Sequence, residues 1–278
     1  MRWEQALTST PTWRAGIVTA CAAVMVLGTL AGFGLLGTRV EESSGGAFAA
    51  DATLVTPAGP AFSIWSLIYL GLLGYLVWQW RAGASRRAAR IAWLAAASMV
   101  LNAAWLGVTQ LGWLWLSVLV ILTLAGVLGV LVRRLDESPP ASPIEAVVVD
   151  GTFGVYLGWV SVASVANATA VLVAGGVNPG PVWSNVLAVA VLGVAALLGA
   201  WFAVRLGGRW AVAAAMAWAL GWIAVGRLTG RPESLPAAAA AILAALAILA
   251  VTAVVRNRGP APSGHRTPTN APARSGRG

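Results

Sequence analysis

Eight apolar runs alternate with short polar loops along this chain, at 15–36, 60–80, 91–109, 113–132, 151–173, 186–204, 210–225 and 237–255. At about 1.5 Å of rise per residue, runs of this size match a hydrocarbon core about 30 Å thick. The pattern predicts an all-α integral membrane protein with about eight transmembrane helices. A signal peptide is the competing reading of the first run, because Ala47-Phe48-Ala49 resembles a small-residue cleavage site. The run outlasts a typical h-region and ends well before that tripeptide, so a retained span is the expectation. Gly28 and Gly32 within it form a GxxxG, a signal for close helix contact.

The loops carry the charge, and their arginines sort by side. The N-terminus, the 81–90 loop, Arg133 and Arg134, Arg205 and Arg209, and the C-terminal tail hold fifteen of the eighteen basic residues. The opposite loops hold Arg39, Arg227 and Arg231. The positive-inside rule makes the richer side cytoplasmic, and eight spans put both termini there. The expected layout is a cytoplasmic N-terminus over 1–14, membrane regions over 15–175 and 176–255, and a basic cytoplasmic tail over 256–278. The tail is rich in Pro, Gly, Ser and Arg and is expected to be disordered.

Composition agrees with this picture. The chain of 278 residues is 59% apolar and 10% charged, which excludes a soluble globular protein. All of its basic residues are arginine, a bias that reads as a high-GC bacterial coding sequence and points to a bacterial inner (plasma) membrane. The formal charge of +9 is mostly topological, so nucleic acid is not an expected partner. Cys21 is the lone cysteine and His265 the lone histidine, so no Cys/His metal site and no internal disulfide are expected.

The chemistry left inside the runs is aromatic and amide. Trp65 and Tyr69 lie four apart on one helix face, as do Asn102 and Trp105 at a spacing of three. Tyr156, Trp159, Ala163 and Asn167 form a third stripe. Pro57, Gly59 and Pro60 make an elbow ahead of the first of these faces. A buried asparagine must be hydrogen-bonded, so each should point into the bundle, either as interhelical glue or as part of a ligand pocket. Tryptophans near run ends, such as Trp80, Trp93, Trp113 and Trp183, read as an interfacial belt. No Asp, Glu, Arg or His falls well inside a run, which argues against ion-coupled transport and against acid–base catalysis in the membrane. The protein is therefore not expected to be an enzyme.

These three stretches, in this order, resemble the TspO/MBR family of tryptophan-rich sensory proteins, which includes the mitochondrial translocator protein. Pro57, Phe62, Trp65 and Tyr69 match its second helix in part. Leu101, Asn102 and Trp105 match the L-N-x-x-W of its third, and Tyr156, Trp159, Ala163 and Asn167 match its fifth, with Val155 where the family has proline. The resemblance covers about residues 15–175. It implies a five-helix bundle, here with three further helices, that holds a planar hydrophobic ligand such as a porphyrin or other tetrapyrrole. Trp65, Tyr69, Asn102, Trp105, Tyr156, Trp159, Ala163 and Asn167 would line the pocket, residues 37–59 would be its lid, and Pro57, Gly59 and Pro60 its hinge.

The family's sterol-associated motif is missing after the fifth run, where the chain reads ATAVLVAGG. Trp218 and Trp222 share a face in the seventh run and read as packing or an anchor. No obligatory cofactor is implied, with porphyrin or haem entering as ligand. The expected partners are the bilayer and a small hydrophobic molecule, and a homodimer is compatible with both. The alternative function is a transporter or exporter of such molecules.

The topology has a direct test, made simple by the single native cysteine. In a Cys21→Ser background, Glu42→Cys should react with a membrane-impermeant maleimide on intact cells. Ala84→Cys should react only after lysis. The reverse pattern would overturn the arginine-based orientation.

Overall fold

The computed structural model describes residues 11–32 and 38–258. The N-terminal ten residues, part of the lid's leading edge and the tail from 259, including His265, lie outside the described residues. Eight helices are long and apolar enough to cross a membrane. They are α1 (Pro11–Gly32), α2 (Gly59–Arg81), α3 (Arg86–Gln110), α4 (Leu114–Asp136), α5 (Pro143–Ala174), α6 (Pro181–Arg205), α7 (Trp210–Thr229) and α8 (Leu235–Arg258).

Several helices start earlier than their apolar runs do, for local reasons. Proline at the first turn of α6 and next to the start of α8 needs no intrahelical donor there. Ser234 caps α8, accepting from the Ala237 amide at 3.1 Å. Helix α5 departs most from expectation. Its first turns, which lie ahead of the apolar run at 151–173 and carry Glu145 and Asp150, form helix capped by Ser142, with a π-helical segment over Ala146–Gly151. Both carboxylates are neutralised by arginines, and this lets them sit inside a helix.

Helices α1, α3, α4, α5 and α2 pack in that order into a closed ring of five. Helices α6, α7 and α8 form a second group, joined to the ring mainly through the pair α5–α7. Two GxxxG motifs sit at close helix contacts. Gly28 abuts Ala103 of α3, where an added Cβ would lie 3.1 Å from its Cα, and Gly32 faces Leu106. Gly154 and Gly158 of α5 meet Ala211, Val212 and Ala215 of α7 so closely that a Cβ at either would clash.

One end of the bundle carries the short arginine-rich loops and is tied by a buried ion network. Arg87 of α3 bonds Glu145 and, at 2.6 Å, Asp150. Asp150 also accepts from Arg209 at 2.9 Å, and Arg209 bonds Asp136 at 2.6 Å. Arg87 Nε donates to the Ser138 carbonyl at 2.8 Å. Asp150 thus links α3, α5 and the start of α7 through a side chain that is 12% exposed. A charge so enclosed is stable only with its partners in place.

Asp150→Asn should therefore lower stability by about 3 kcal/mol, read as a lower thermal midpoint in detergent. Arg90→Gln, which removes an exposed pair with Glu137, should change it by less than about 1 kcal/mol.

Candidate functional site

The other end carries the lid, residues 38–58, and beneath it the three motif faces converge. On α2, Trp65 stacks on Tyr69 with ring centroids 5.5 Å apart and planes 20° from parallel. Trp65 also meets Tyr156 and Trp159 of α5 edge to face, at 5.9 and 6.1 Å. Phe62, one turn before Trp65, meets Trp159 in the same manner at 5.7 Å. Edge-to-face contact directs the positive rim of one ring at the π face of the next, which favours this arrangement. Tryptophans at 65, 105 and 159 are buried, at 9%, 8% and 2% exposure, whereas Trp80, Trp93, Trp113 and Trp183 are all half exposed or more. These three mid-run tryptophans belong to the site, and these four run-end ones to the periphery.

The amides cross-link the same helices. Asn102 Nδ2 donates to the Tyr156 hydroxyl at 3.0 Å, joining α3 to α5. Trp105 Nε1 donates to Asn167 Oδ1 at 3.3 Å, and Asn167 Nδ2 donates to Ser117 Oγ of α4 at 3.0 Å. These contacts hold α3, α4 and α5 in register where lipid offers no competing partner.

Two neighbouring cavities open among these groups. The larger, about 200 Å³, is bounded by Thr29 of α1, Arg39–Glu41 of the lid, Phe62, Trp65 and Tyr69 of α2, and Trp105 of α3. The smaller, about 50 Å³, is bounded by Trp105, Trp159, Ala163 and Asn167, with Phe48, Thr56 and Pro57 of the lid above. Val40, Phe62 and Trp105 belong to both walls. Six of the eight motif residues line one cavity or the other. Asn102 and Tyr156 line neither and stand behind the aromatic wall, while Gly59 and Pro60 lie in the 3-10 turn Gly59–Ser63 at the start of α2. One polar group on the wall is left over: Trp159 Nε1 is buried with no hydrogen-bond partner among the described residues.

The lid is a folded strap. It contains a 3-10 turn Ser43–Gly46, in which Ser44, Gly45 and Gly46 all have positive φ. Phe48, of the cleavage-like tripeptide, is buried and faces Trp105 at 6.2 Å. Thr38 and Gln110 bond each other through backbone and side chain, and Ser44 Oγ donates to the Thr109 carbonyl at 2.7 Å.

The far side of the strap is held by α7, which the motif faces do not include. Arg227, 2% exposed, donates to the carbonyls of Ala50 and Thr53 at 2.8 and 3.0 Å and to that of Pro232. The Ala58 amide donates to the Trp222 carbonyl at 3.1 Å, and Trp218 Nε1 donates to the Ala61 carbonyl at 3.0 Å. Ala219 completes the wall of the smaller cavity. The signal for this role was the Trp218/Trp222 pair. Arg227 looked like one more loop charge, and nothing in its neighbourhood marks it as a buried donor.

A profile of the family described as "TSPO-like protein" matches residues 12–255. The chain belongs to this family. The match runs through all eight helices of this TSPO-like protein, so it extends beyond the 15–175 stretch that carries the motifs. Membership supports a membrane sensor or ligand-binding protein in general terms. No curated protein and no solved structure matches the chain.

Removing the Arg227 clamp should loosen the strap without unfolding the bundle. Loss of charge-assisted bonds worth about 1.5 kcal/mol or more predicts at least about tenfold faster amide exchange over 50–56 in Arg227→Ala. Exchange in α3 and α4 should stay unchanged. Equal exchange in wild type and variant would mean the lid does not depend on Arg227.

Proposed function

We propose that this TSPO-like protein is a membrane sensor or regulator that holds one planar hydrophobic ligand of the porphyrin or tetrapyrrole class between the strap and the aromatic wall. The observation that carries the reading is Trp159. Its indole closes an edge-to-face cluster with Trp65 and Phe62, lines the smaller cavity, and keeps a buried donor with no partner among the described residues. Buried polar groups are nearly always satisfied, so an orphan donor on a cavity wall is suited to an acceptor on an occupant. Flat aromatic ligands match a wall of rings with a few orienting polar groups.

The cavities are smaller than the roughly 300–1,000 Å³ of typical ligand pockets. Entry of a tetrapyrrole therefore requires the strap to lift. Val40 and Phe48 are the strap side chains over the shared wall, and their withdrawal would merge the two spaces. Binding is then coupled to strap position, which is what a sensor needs. The reading assigns no catalysis. It places the protein in a bacterial inner membrane with both termini cytoplasmic and the strap outside.

Purified protein should show saturable quenching of tryptophan fluorescence on porphyrin addition. Trp159→Phe, which keeps a ring and removes the donor, should weaken affinity by about tenfold, and Trp159→Ala should weaken it further. An identical response from wild type and both variants would remove Trp159 from the site.

A further inference from the structure

A further cavity lies away from the strap, on the flank of the bundle. It is a groove of about 800 Å³ between α4 and α6, floored by α5. Its position follows from the packing: α6 reaches the ring chiefly through α8 and α7, so α4 and α6 stand apart on either side of α5. On the α4 side, Gly126 and Gly129 leave open space where side chains would stand. Val194 and Leu198 line the α6 side.

We propose that this groove holds an acyl chain of an anionic phospholipid, with the lipid phosphate bound by Arg133 and Arg205. Three observations favour that occupant. First, the floor is apolar in effect. Ser161, Ser164 and Thr169 line it, but each hydroxyl donates to its own helix, to the carbonyls of Leu157, Val160 and Val165 at 2.7, 2.7 and 3.0 Å. A hydrocarbon chain meets no unsatisfied donor there.

Second, the groove ends in cations without counter-charges. Arg133 and Arg205 line its arginine-rich end, both are exposed, and neither has a carboxylate partner among the described residues. Arg87, Arg90 and Arg209 at the same end are paired with carboxylates, whereas Arg134, next to Arg133, bonds only the Arg90 carbonyl. Arg205 lies over the Trp201 ring at 5.9 Å, which turns its guanidinium along the groove wall. Basic pockets between membrane helices suit phosphate headgroups. A second copy of the chain docked here about a two-fold axis along the membrane normal would instead bring like charges together.

Third, the length fits. Leu122 and Arg133 are both on the lining and stand about 16 Å apart along α4. That is about half of a hydrocarbon core, the depth of one leaflet.

The test is native mass spectrometry of the full chain, delipidated in detergent and supplied with chain-matched phosphatidylglycerol or phosphatidylcholine. Wild type should retain one phosphatidylglycerol with a preference of about tenfold over phosphatidylcholine. Gly129→Leu fills the groove where a Cβ meets nothing within 4 Å, so it should fold with an unchanged thermal midpoint and lose the retained lipid. Gly126→Leu should do the same by an independent substitution. Arg133→Gln with Arg205→Gln should keep chain binding and lose the headgroup preference. Equal retention of both lipids by wild type, unchanged retention in both leucine variants, or a lipid-free dimer cross-linked through this groove would each overturn the proposal. Porphyrin quenching should be unaffected by the glycine substitutions, so this result stands apart from that of the strap site.

Discussion

The contact between α5 and α7 is the constraint on which the rest depends. Glycine at 154 and 158 lets the two backbones approach until Val212 and Ala215 fill the space a side chain would take. In lipid, with no hydrophobic drive to associate, such close packing is the main source of helix affinity. The contact is locked at one end by Asp150, which bonds Arg209 at the start of α7 while also bonding Arg87 on α3. The π segment that contains Asp150 adds a residue to the turn and belongs to the geometry that sets the carboxylate between two arginines.

The far end of the bundle inherits this alignment. With α7 held against α5, Ala219 reaches the smaller cavity, Trp218 and Trp222 reach the elbow, and Arg227 reaches the strap. The strap over the aromatic wall is thus supported on one side by α3, through Thr109 and Gln110, and on the other by α7. The last three helices, which carry none of the family's motif residues, act on the site through this support. They also create the lipid-facing groove, since α6 is held off from α4 by its attachment to α8.

Charge is divided between the two ends with opposite consequences. At the arginine-rich end, acidic and basic groups neutralise one another inside the helices and stiffen the structure. At the strap end, a single buried arginine is neutralised by no carboxylate within salt-bridge distance among the described residues and is satisfied by backbone carbonyls. Carbonyl ligation fixes the path of an irregular loop, because each bond specifies a backbone position and no side-chain identity.

Much of this protein is legible in its sequence because a bilayer imposes simple rules. The length and hydropathy of each apolar run mark it as long enough to span, and the burial cost of Asn102 and Asn167 requires them to face other helices. Spacing also brings Trp65, Trp105 and Trp159 to interior faces. The tertiary structure alone decided which helices are neighbours, because any apolar face packs on any other in lipid, and only close-range shape at Gly28, Gly154 and Gly158 discriminates. It alone placed Asp150 inside a helix and Arg227 under the strap. The cost of burying each charge depends on partners that are distant in sequence, as Arg209 is from Asp150 and Ala50 is from Arg227, and a linear pattern of hydrophobic and polar positions does not record such pairings.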